Sequence, residues 1–101
     1  MEENFDNEVL QCIEDGLLML GEDGKNVVFW WWETKRNMRK SDIPNHVDEF
    51  VGLLEEVFGA GANVVENNLA REIQRAFNLS EGNSSGLIDA VAAAKANSMA
   101  K

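Results

Sequence analysis

A chain of 101 residues is enough for one domain, spanning residues 1–101, that buries about two-thirds of its unfolded surface without metals or disulfides. Its 18 acidic and 9 basic residues give a formal charge of −9, which opposes phosphate backbones at long range and favours basic partners. One proline, few β-branched residues and abundant Leu, Ala, Glu and Asn point to helices, while the lone Cys12 excludes an intrachain disulfide and suits a reducing cytoplasm as core filler.

The first residues, Met1-Glu2-Glu3-Asn4, are acidic where a targeting peptide is basic, and no apolar run approaches the roughly 20 residues of a membrane span. The expectation is a cytoplasmic protein with no membrane contact. Phe5, Val9, Cys12, Ile13, Gly16, Leu17 and Leu20 recur at spacings of three and four, which predicts a first helix over about 5–20. Gly21-Glu22-Asp23-Gly24 breaks that pattern and supplies acid to the start of a second helix over about 22–38. Its basic exit, Lys35, Arg36, Arg39 and Lys40, suits the negative end of the helix dipole.

The second helix carries the most informative stretch of the chain. Val27-Val28-Phe29-Trp30-Trp31-Trp32 is apolar throughout and holds all three tryptophans. At about 100° per residue, Val27, Val28, Trp31 and Trp32 fall on one side, Trp30 lies beside them and Phe29 points away. One face cannot bury all six, so another helix or a partner should cover Phe29 and Trp30. Leaving two large aromatics in water would forfeit roughly 3–6 kcal/mol of burial. A doubly buried strand over 27–32 is the alternative, but no second strand candidate exists to pair with it.

Ser41-Asp42-Ile43-Pro44-Asn45 is a connector whose proline disfavours helix at Ile43, and Asn45 is placed to cap the next helix. Val47, Phe50, Val51, Leu54, Val57 and Phe58 give the cleanest amphipathic stripe, predicting a third helix over about 46–58. Gly59-Ala60-Gly61 stops it, and Val64, Val65, Leu69, Ile73, Ala76 and Phe77 line a fourth over about 62–78. So short a joint makes these two helices neighbours. The small, polar stretch Ser80 to Gly86 predicts a loop over 80–86. The alanine-rich segment after it predicts a fifth helix over about 86–97 that carries little apolar bulk and docks weakly. The fold class is therefore all-α, a compact bundle of four to five helices.

Chemistry is not announced. His46, the only histidine, stands near Asp48 and Glu49, but no Cys or second His joins it in a metal site; it reads as an exposed polar residue at the start of the third helix. Cys12 has no histidine near it in sequence to make a nucleophilic pair. Gly59-Ala60-Gly61 begins a dinucleotide fingerprint only superficially, because Val64 stands where the third glycine belongs and the turn follows a helix. The adjacent acids Glu14-Asp15, Glu22-Asp23 and Glu55-Glu56 diverge on a helix and read as solvated faces. No catalytic residue, cofactor or metal is expected.

The succession Leu20-Gly21-Glu22, Glu33-Thr34-Lys35, Asp42-Ile43-Pro44, then Phe50 with Leu53 to Ala62 and Val65-Glu66, resembles the archaeal family described as a Nitrosopumilus output domain of signal-transduction proteins. The resemblance covers about residues 17–79, though the family's second helix is more often tyrosine-rich and this chain has no Tyr. It implies an all-helical cytoplasmic module and carries over no catalytic residue. Together these readings favour a protein-interaction or regulatory module that binds a protein partner or itself, with Phe29, Trp30, Lys35 and Arg36 as the expected surface. The alternative is a transcription-associated nucleic-acid binder using the basic group at Lys35, Arg36, Arg39 and Lys40, which the overall charge disfavours. A ligand pocket beside the tryptophans is a third possibility, without acid–base groups on the apolar stripes to serve it.

Overall fold

The computed structural model describes residues 2–79 and 86–99. Five α-helices run through them: α1 (Glu2–Leu17), α2 (Gly21–Lys35), α3 (Val47–Phe58), α4 (Ala62–Ala76) and α5 (Leu87–Met99). Short 3₁₀ turns at Leu18–Leu20, Lys40–Asn45 and Gly59–Gly61 join the first four, and no strand occurs among the described residues. The hexapeptide 27–32 is helical, so the strand alternative falls.

Most of the expected stripes become the core, but Val64 and Ala76, expected on the inner side of the fourth helix, are exposed at its outer side. Val9, Ile13 and Leu17 of α1, Phe50, Leu53 and Leu54 of α3, and Leu69 and Ile73 of α4 are all sealed from solvent. α1 and α4 run antiparallel: Gly16 lies against Leu69 near one end, and the rings of Phe5 and Phe77 meet at 5.4 Å near the other. Gly16 is what lets the two backbones approach. A Cβ built there would sit 2.5 Å from Leu69 Cδ2 and 3.4 Å from Leu69 Cα. Asn68 Nδ2 uses the same closeness to donate to the Gly16 carbonyl at 2.8 Å.

α3 and α4 are joined as the glycines require. Gly59 adopts φ 57° at the end of α3, a conformation that a side chain resists, and one turn later Ala62 starts α4. Asn45 does not cap α3. Its Nδ2 instead reaches Asp6 Oδ2 at 3.2 Å, fastening the connector to α1, and His46 precedes α3 without a side-chain cap.

α5 departs from the expectation of weak docking in one respect. Leu87, Ala90 and Ala94 are fully sealed and Val91 nearly so, because small side chains let α5 lie close against its neighbours. Leu87 N donates to Glu66 Oε2 at 3.2 Å, and Asn97 Nδ2 reaches the Phe77 carbonyl at 3.5 Å, so α5 runs parallel to α4. Residues 80–85 of the expected loop lie outside the described residues. None of the described helices is long and apolar enough to cross a membrane.

Candidate interaction face

Helix α2 ends at Lys35, about three residues earlier than its periodicity suggests, and that difference decides which aromatics are buried. Asn37 takes φ 57°, and the chain turns back so that the 39–45 segment packs beside α2. Asp42 holds the turn, its Oδ2 accepting from Arg39 N at 3.0 Å while its own N–H donates to the Arg39 carbonyl at 3.0 Å. Trp32 then finds what a buried indole requires. Its Nε1–H donates to the Arg39 carbonyl at 2.8 Å, and its ring meets Phe50 edge-on at 5.7 Å.

The returning segment also covers Phe29. That ring is 7% exposed, with the Lys40 ammonium 5.0 Å from its centroid, and Lys40 is itself paired with Glu14 at 3.0 Å. The assignment of Phe29 to the interaction surface is therefore corrected: its cover comes from its own chain. Placing Val27, Val28, Trp31 and Trp32 together on the buried side is corrected as well. The buried arc is Val28, Phe29 and Trp32, with Trp31 half-buried and Val27 41% exposed.

Trp30 remains uncovered. At 59% exposure it is the largest apolar side chain left in water among the described residues, where Leu18, Met19, Val27, Val64 and Ile88 are the other large exposed apolar ones. Counting about 100° per residue from Trp30, the positions Asp23, Asn26, Val27, Glu33 and Thr34 all fall within about 60° of it. All five are exposed. Thr34 Oγ1 donates to the Trp30 carbonyl at 2.9 Å, satisfying its hydroxyl within the helix. A shallow depression lined by Glu33, Asn37, Met38 and Arg39 continues this face beyond the end of α2.

The basic group is split by the fold. Arg36 lies between two acids of α3, its Nε 3.6 Å from Glu49 and its Nη1 3.4 Å from Glu56. Lys40 is held by Glu14, while Lys35 and Arg39 are exposed without an ion pair among the described residues. Of the four residues expected to form the surface, Trp30 and Lys35 are exposed, Arg36 is half-buried in its ion pairs and Phe29 is inside. Asp23, Val27 and Glu33 join Trp30 on the face although sequence reasoning did not include them. The usable signal was their i−7, i−3 and i+3 spacing from Trp30.

The other sequence candidates stay apart. His46 is exposed, and no group of three or more His, Cys, Asp or Glu among the described residues could hold a metal ion. Cys12 is buried, and desolvation, with Glu72, Asp15 and Glu8 adding negative charge, pushes its thiol up to about 11 from 9.0. A thiol whose folded-state value is raised favours folding below the unfolded value, and that contribution is lost as pH rises from about 9 to about 11. Stability should fall over this interval in the native chain and stay flatter in Cys12→Ala, read by urea unfolding at successive pH values. No family model, curated protein or solved structure matches this chain.

Proposed function

We propose that this chain is a non-enzymatic, cytoplasmic protein-interaction or regulatory module that meets its partner through the outer face of α2. The observation that carries the reading is Trp30, 59% exposed on a helix whose neighbouring aromatics Phe29 and Trp32 are buried. Exposed tryptophan is unfavourable for a solitary subunit and is enriched where interfaces concentrate their binding energy. The resemblance to the archaeal output-domain family belongs to the same proposal and agrees with a module that transmits a signal by contact. Self-association through Trp30 is one form the interaction can take. The nucleic-acid alternative has less support, since Arg36 and Lys40 are already paired with acids of the same chain.

Trp30→Glu tests the reading. Because the side chain lies outside the core, the variant should unfold within about 0.5 kcal/mol of the native chain. It should nevertheless lose the partner that the native chain retains in a pull-down, or the dimer that the native chain shows in light scattering. Identical partners and identical mass for both proteins would remove the basis for the proposal.

A further inference from the structure

The face around Trp30 has a charge pattern that narrows what it can receive. Asp23 and Glu33 stand about 15 Å apart along α2, either side of Val27 and Trp30, and both are exposed. The cations nearby in sequence are directed elsewhere: Lys25 to Glu22 at 3.4 Å, Arg36 to Glu49 and Glu56, and Lys40 to Glu14. Lys35 lies about 140° round the helix from Trp30, leaving Arg39, in the depression beside Glu33, as the cation at the far end of the face. The apolar centre is thus flanked by carboxylates with no cation between them, on a chain of net charge −9.

We infer that the outer face of α2 receives a basic amphipathic helix, its apolar residues seated on Val27 and Trp30 and its cations meeting Asp23 and Glu33. This rests on the interaction reading above and specifies the partner's chemistry. A helix with apolar residues at spacings of three and four would match Val27 and Trp30, and long Lys or Arg side chains on either side would reach the two carboxylates with their stems lying along the tryptophan ring. A second copy of this chain fits less well. It would present the same two carboxylates, and two chains of this charge repel.

The test uses the full chain and three synthetic helical peptides of about 16 residues, each with leucines at the i, i+3, i+4 and i+7 spacing. One peptide carries lysine at its polar positions, one glutamate and one serine. Fluorescence anisotropy of the labelled peptides, with light scattering of the protein alone, reads the outcome. The lysine peptide should bind, weaken at least about tenfold with Trp30→Ala and with Asp23→Asn/Glu33→Gln, and weaken further as salt rises. Asp48→Asn/Glu55→Gln, which removes the same charge from the exposed side of α3, should leave binding unchanged.

Equal weakening by the two double variants would reduce the effect to overall charge and overturn the inference. Trp30-dependent binding of the serine or glutamate peptide in preference to the lysine peptide would overturn it too, while leaving the interaction reading intact. A dimer of the native chain that Trp30→Ala dissolves would assign the face to a second copy and likewise overturn the basic helix alone. Failure of all three peptides, with a monomer in both proteins, would count against the inference and the interaction reading together.

Discussion

Trp32→Ala should lower the unfolding free energy by about 3–5 kcal/mol, the largest single loss expected in this chain. The indole is fully sealed, packs edge-on against Phe50 and ties α2 to the returning segment through the Arg39 carbonyl. Truncation removes the ring, opens a cavity between α2 and α3, and leaves that carbonyl with the Asp42 N–H as its remaining donor. A domain of this size has about 5–15 kcal/mol in total, so the variant should be close to half unfolded at moderate urea concentrations where the native chain is intact. Trp32→Phe separates the contributions, because it keeps most of the ring while deleting the N–H, and should lose about 1–3 kcal/mol. A loss under about 1 kcal/mol for the alanine variant would mean that Trp32 does not join the two elements as described.

The second large effect is expected at Gly16. Valine there must place its Cβ 2.5 Å from Leu69 Cδ2, inside van der Waals contact, and Leu69 is itself fully buried. α1 and α4 would have to separate, lengthening the 2.8 Å hydrogen bond from Asn68 to the Gly16 carbonyl. Overpacking and the weakened bond together should remove about 2–4 kcal/mol, and thermal or urea unfolding reads the change directly. Gly16→Ala is the instructive partner. Its gain of about 1 kcal/mol in helix propensity opposes the clash, so it should fall well short of the valine loss. If both variants were as stable as the native chain, the two helices would not be in the close register described.

The contrast between α3 and α2 shows how much the sequence can disclose. α3 is legible to within one residue because Val47, Phe50, Val51 and Leu54 alternate with acids at helical spacing, and Pro44 and Gly59 punctuate its ends. In α2 the six consecutive apolar residues establish that a helix is crowded without saying which way it is turned, since every direction is apolar. The orientation is decided outside the helix, where Asn37 reverses the chain and brings Arg39 to Trp32 and Lys40 to Phe29. Asparagine tolerates that conformation without advertising it as glycine would. The surplus of aromatic area is therefore legible, and its location at Trp30 rather than Phe29 is not. α5 is obscured for a related reason: alanines add little bulk to a stripe, yet Leu87, Ala90 and Ala94 are sealed because they admit close neighbours.

The antiparallel pairing of α1 with α4 has a consequence for biosynthesis. The hydrogen bond from Asn68 to Gly16 joins residues 52 positions apart, and the Phe5–Phe77 contact reaches further still. A nascent polypeptide emerges from its amino end, so the cover that α4 gives to α1 arrives only after about sixty further residues, with α2 and the 40–45 turn its main earlier neighbours among the described residues. The acids spaced along that helix, Glu8, Glu14 and Asp15 among them, keep a half-made chain charged throughout the delay.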